Sequence, residues 1–293
     1  MRTILAMTWK EMLRKKVMML TLLLTLVFLI AFWFVADTVG TNDQGAGTLA
    51  NDSGLFTQFI NGAFILSLGF FFGAFVIAFL AIFSSFSVIA GEAEQGVMQA
   101  LLPRPLPRWK WYCGRWLGFV TLGTIYAFIL FTAILLITSA HANVPRDVAV
   151  LTKSFLLFAS VVPLLISVSM LGSGLFSALG NGVFMTMLYG AGFLGGMLDK
   201  VSGSLRLEED GLKVLNNLTG IISMIMPADT LQRRMIVELF SMKDLNGLVS
   251  MNSGALSILN ISSFPSNTFI MYAVGYTVII FALGLLRFQR KDL

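Results

Sequence analysis

Six apolar runs dominate this 293-residue chain, each able to cross the roughly 30 Å hydrocarbon layer of a bilayer, a task that takes about 20 helical residues. They cover approximately residues 17–36, 59–90, 116–140, 154–175, 183–198 and 268–286. Backbone polar groups find no partner in lipid, so such runs fold as helices that satisfy their own amides. The expectation is an all-α membrane protein with six transmembrane helices, forming a single transmembrane domain over residues 1–293. Composition agrees. Hydrophobic residues make up 57% and charged residues 12%, where a soluble domain carries nearer a quarter charged.

The first run follows Arg14, Lys15 and Lys16, as a signal peptide's apolar core would. It is longer than such a core and no A-x-A site follows, so it reads as a retained helix. The second run is about 30 residues long and must tilt, bend or protrude. The fifth is short and carries Gly190, Gly192, Gly195 and Gly196.

Basic residues set the orientation. Arg2, Lys10, Arg14, Lys15 and Lys16 precede the first run, and Arg104, Arg108, Lys110 and Arg115 separate the second from the third. Arg287, Arg290 and Lys291 follow the last, while residues 37–55 contain no Lys or Arg. The positive-inside rule therefore places both termini and residues 91–115 in the cytoplasm of a multi-pass cell-membrane protein. Residues 199–267 fall outside. There Asp229-Thr-Leu-Gln232 reads as a D-x-x-Q helix start, with Leu231, Met235, Leu239 and Phe240 on one face and Arg233, Arg234 and Glu238 elsewhere.

Catalytic chemistry is hard to place. No run holds an Asp, Glu, Lys, Arg or His in its interior, which argues against an ion-coupled carrier and against an intramembrane hydrolase. The single histidine, His141, falls in an external turn and reads as a solvated loop residue. Cys113 is the only cysteine, so neither an intrachain disulfide nor a multi-cysteine metal site can form. The sixteen methionines fill apolar gaps.

The most informative segment is GEAEQGVMQALLPRPLPRWKW, residues 91–111. Residues 96–102 have the spacing of a short helix. Glu92 and Glu94 stand just before it, where carboxylates complement a helix N-terminus, and Pro103, Pro105 and Pro107 terminate it. Trp109, Trp111, Tyr112 and Trp116 then read as interfacial anchors. The result is a short helix held under the bilayer.

The same residues, Glu92-x-Glu94-x-Gly96, Leu101-Leu102, Pro105-Leu106-x-Arg108 and Gly114-Arg115, resemble the E-x-E-x-G, LL, P-[LV]-x-R and G-K pattern of permease subunits of type-2 ATP-binding-cassette exporters. Arg115 replaces the usual Lys, and Val97 stands where Thr is frequent. The likeness extends to an amphipathic N-terminal segment, with Leu5, Trp9, Met12 and Leu13 opposite Lys10, Arg14 and Lys15, and to an external helical segment before the last run that contains Asp229, Arg233 and Arg234.

The resemblance implies a permease dimer, either a homodimer or a pair with a close paralogue, working with two copies of a separate ATPase. The quoted segment would be the coupling helix, with Glu92, Glu94, Gly96, Leu101, Leu102, Pro105 and Arg108 forming the ATPase contact. No cofactor is expected in this chain, since no G-x-x-x-x-G-K-[ST] loop occurs, and ATP and magnesium would sit on the partner. Membrane lipids are expected partners and nucleic acid is not. The cargo implied is a hydrophobic or amphipathic drug, peptide or lipid-like molecule. A scaffold that docks a soluble protein without transport is the alternative.

Overall fold

The computed structural model describes residues 2–41, 51–96, 107–142, 147–202, 209–240 and 266–290, and every element among them is an α-helix. They are α1 (Arg2–Arg14), α2 (Lys16–Thr41), α3 (Asn51–Ser85), α4 (Ala90–Glu94), α5 (Arg108–His141), α6 (Val148–Leu175), α7 (Ala178–Ser202), α8 (Glu209–Ile225), α9 (Ala228–Leu239) and α10 (Asn267–Arg290). Five stretches among the described residues are long and apolar enough to cross a membrane: Lys16–Gly40, Asn61–Glu94, Arg108–His141, Val148–Leu175 and Asn267–Arg290. The glycine-rich run expected at 183–198 lies within α7, which is not one of the five.

α3 and α6 form the centre, each burying 67% of its most apolar stretch, whereas α2 buries 17% and α10 11%. With α5 they enclose a knot of rings: Phe70 lies 5.1 Å from Phe131 and 5.4 Å from Phe158, and Phe131 lies 5.7 Å from Phe158. Rings at these separations add about 0.5–1.5 kcal/mol per pair beyond their burial.

The long second run bends rather than continuing straight. Ser84 and Ser85 turn their hydroxyls back onto the Ala81 carbonyl at 3.2 and 2.6 Å, a bonding mode that bends helices. After Phe86 the chain makes a turn, with the Val88 amide donating to the Ser85 carbonyl at 3.3 Å, and restarts as α4. The freed backbone groups are satisfied from α6 and α7. Ser173 Oγ accepts from the Ile89 and Ala90 amides at 3.0 Å each, and Asn181 Nδ2 donates to the Phe86 carbonyl at 2.7 Å and the Ser169 carbonyl at 2.9 Å.

Contacts divide the bundle into two ends. One end gathers α1, the α3–α4 turn, the start of α5, the α6–α7 turn and the close of α10, and with them exposed Lys10, Arg14, Lys110, Arg287 and Arg290. The other joins the ends of α2 and α5 to the starts of α6 and α10. His141 is here, and it is not a solvated loop residue. It closes α5 with a largely buried ring, edge-on to Trp33 at 6.0 Å and with Nε2 3.7 Å from Asp37 Oδ1.

α8 and α9 form a helical hairpin that enters the bundle at this second end. Tyr272 and Tyr276 of α10 donate to the Met224 and Ile225 carbonyls at the tip of α8, both at 2.8 Å. Tyr276 lies nine residues into α10, so the tip reaches roughly 14 Å along that helix at 1.5 Å per residue. The two hydroxyls cap last-turn carbonyls of α8, which lack amide partners within their own helix.

Candidate coupling site

The site at the basic end is built on the turn that follows α3. α4 carries Glu92 and Glu94 in its own five residues and closes at Gly96, whose φ of +70° is the left-handed conformation that favours glycine; its amide reaches the Ala93 carbonyl at 3.1 Å. The two carboxylates thus belong to a short helix of their own, and the helix expected at 96–102 lies outside the described residues. Glu94 does serve a helix N-terminus, but that of α7, accepting from the Ala178 amide at 3.0 Å. Glu92 turns inward and pairs with Arg115 of α5.

Arg115 is buried, at 7% exposure, and its two terminal nitrogens serve two different elements. Nη2 donates to Glu92, and Nη1 donates to Glu11 of α1. Lys15 Nζ lies 2.9 Å from the other Glu11 oxygen, and the Trp111 ring lies 5.5 Å from the Arg115 guanidinium. The four charges balance, two positive and two negative. Burial works to raise the pKa of Glu11, but its hydrogen bonds from Arg115 and Lys15 outweigh that and hold it below its ordinary 4.5.

Close backbone approach holds α1 against α5. A Cβ at Gly114 would lie 2.9 Å from Ile4, and one at Gly118 would lie 2.7 Å from Thr8. This Gly-x-x-x-Gly pair opens a channel for α1, in the way small residues let helices meet in membranes. Trp9 Nε1 donates to Thr121 Oγ1 at 3.0 Å one turn further on. Met12 is buried while Leu13 stays 57% exposed, so the expected apolar face of α1 is divided between α5 and its surroundings.

Arg108 opens α5 directly after its N-cap, Pro107, and donates to the Gln289 carbonyl near the end of α10 at 3.2 Å. The aromatic cluster beside it is mostly an interhelical joint and not a row of interfacial anchors. Trp111 stacks on Phe288 at 5.1 Å, Tyr112 is fully buried against Phe281 and Phe288, and Trp116 donates to Ser167 Oγ at 2.9 Å. Trp109 alone of the four is markedly exposed, at 43%. Helix packing claims these rings because α10 lies alongside them. Of the residues expected to form the ATPase contact, Glu92, Glu94, Gly96 and Arg108 come to this end, and Leu101, Leu102, Pro105 and the helix expected at 96–102 lie outside the described residues.

Three members of the site escaped the sequence reading: Glu11, Ser173 and Asn181. Glu11 carried a signal, as the only acidic residue before Asp37 in a strongly basic segment. Ser173 and Asn181 carried none, because their partners lie 84 and 95 residues away.

At the opposite end, Asp229 pairs with Arg233 at 2.9 Å, and Arg234 reaches Glu238 at 3.4 Å and Asn267 Oδ1 at 2.8 Å. Lys153 lies 3.8 Å from Glu238. Asp229 is not the N-cap expected of it. Pro227 holds that position, and Asp229 sits in the first turn of α9 against Gly196. Leu231, Met235, Leu239 and Phe240 are buried as expected, but Arg234 is equally enclosed, at 4% exposure. The apolar spans lack ionisable residues at their centres, yet the hairpin carries this paired set to the flank of α7 and α10.

The model of one protein family, described as "ABC-2 family transporter protein", matches residues 2–293. The chain belongs to the ABC-2 transporter family. It is a multi-pass membrane permease of an ABC transporter, and its family makes it the transport component and not the hydrolytic one. An ABC ATPase is the partner the family implies in general. Among curated proteins none matches the chain's sequence.

Proposed function

We propose that this ABC-2 permease is the membrane subunit of an exporter, driven by ATP hydrolysis on a separate ATPase and passing a hydrophobic or amphipathic drug, peptide or lipid-like cargo. Both termini face the cytoplasm in this reading, and α7 is the sixth span. Two permease copies work with two ATPase copies. The observation that carries the proposal is the α3–α4 turn, where Ser173, Asn181, Glu94 and Arg115 tie one short helix to α5, α6 and α7 at the basic end. A push on that helix passes directly into three long helices. A mere connecting loop has no use for so many buried bonds.

The cargo class is supported by the apolar, Phe- and Gly-rich character of α3 and α7. The test is co-purification of the permease with its ATPase, followed by measurement of ATP turnover and efflux in vesicles. Hydrolysis stimulated by the permease, and lost when Glu92 and Gly96 are changed together, supports coupling through this turn. Efflux that survives deletion of residues 92–102 rejects it. Partner capture with no effect on hydrolysis and no efflux favours a scaffold.

A further inference from the structure

We propose that Arg115 is a positioning residue that locks the N-terminal helix α1 to the coupling turn, so that α1 moves with that turn during the transport cycle. The proposal rests on the coupling reading of the turn and assigns α1 a role beyond anchoring. α1 and α4 belong to chain segments about 80 residues apart, and both are held by one guanidinium.

The fork matters. Two nitrogens on a rigid planar group meet two carboxylates from separate elements, which the single ammonium of a lysine cannot reproduce with fixed geometry. The pair is also shielded from water. Arg115 is almost fully buried and Glu92 largely so, with Trp111 over the guanidinium, so the contact keeps a strength that an exposed ion pair loses. The bed beneath α1 is equally specific. Gly114 and Gly118 admit Ile4 and Thr8 immediately beside Arg115 in sequence, and Trp9 fixes the next turn on Thr121. α1 is thus seated by packing and indexed by charge. Motion of α4 relative to α5 must either carry Glu11 with it or break the fork.

The full chain is reconstituted with its ATPase in lipid nanodiscs, with Cys113→Ser and spin labels at Lys10→Cys and Gln95→Cys, both exposed positions. The proposal expects one narrow distance between the labels. It expects Arg115→Gln to lose that narrow peak, Arg115→Lys to broaden it to an intermediate width, and Glu11→Gln to broaden it with the Glu92 arm left intact. In parallel, ATP consumed per cargo exported should rise several-fold in Arg115→Gln, a change that loss of folded protein alone does not produce. Should Arg115→Gln fail to assemble, Glu11→Gln decides on both readouts. An unchanged distance distribution overturns the proposal, as does a broadened one with an unchanged ATP-to-cargo ratio. If the unmodified complex shows no cargo-linked hydrolysis, the exporter reading fails, and an unchanged or lost narrow peak still decides whether Arg115 joins the two helices.

Discussion

Glu11 shows how a single side chain ties an outlying helix to the bundle. Its folded pKa is depressed, so the stability it contributes is fully present above its ordinary 4.5 and is lost as pH falls through the lower folded value. Acidification from pH 6 to below pH 4 should therefore loosen α1 from α5, read as quicker proteolysis within residues 2–15. Glu11→Gln should show that loosening already at pH 6 and little further change in acid. Asn181 is the second such residue. It is fully buried, and its amide serves the Phe86 carbonyl at the α3 break and the Ser169 carbonyl of α6. Asn181→Leu removes both bonds and should lower stability by about 1–3 kcal/mol, measured as a fall in Tm in detergent.

At the scale of elements, α1 and the α8–α9 hairpin are packed on the bundle at close approaches and side-chain bonds that can be removed singly. A side chain at Gly118 meets Thr8 at 2.7 Å from its first carbon, so Gly118→Leu cannot be accommodated with α1 in place. Loss of α1 from its seat, seen as quicker proteolysis within residues 2–15, is the expected outcome. Two phenols bond the hairpin's tip to α10. Tyr276→Phe removes the donor to the Ile225 carbonyl and should destabilise the hairpin by about 1 kcal/mol, the usual net worth of one hydrogen bond. Faster amide exchange across 220–230 measures it, while exchange in the core of α6 should stay unchanged.

The molecule as a whole raises the question of the sixth crossing. α7 has 25 residues, giving about 38 Å of helix against roughly 30 Å of hydrocarbon. It runs the full height of the bundle, from Asn181 beside Phe86 to Gly192 beside Met226 and Gly196 beside Asp229. Its glycines and Asn181 lower its hydropathy while letting α3, α8 and α9 come close. The expectation is that an impermeant thiol reagent labels Gln95→Cys only from the cytoplasmic side and Lys213→Cys only from the other, in a Cys113→Ser background. Labelling of both from one side would leave α7 as a buried helix that does not cross.

The membrane class and five of the spans were legible because lipid imposes long apolar runs, and a run is a local property. The importance of residues 91–115 was legible too, since polar and proline-rich sequence stands out between such runs. The roles inside that segment were not. Glu92 and Glu94 read as caps for a helix that follows them, and their partners turned out to be Arg115 and Ala178. Trp111 and Tyr112 read as interfacial anchors, because nothing local announces that α10, over 150 residues later, lies across them. The sequence by itself settled what must be in the membrane, for burial in lipid is decided segment by segment. Only the tertiary structure decided which polar groups join separate elements at the ends of the bundle, because Glu11 and Arg115, like Arg108 and Gln289, come from helices that the chain keeps far apart.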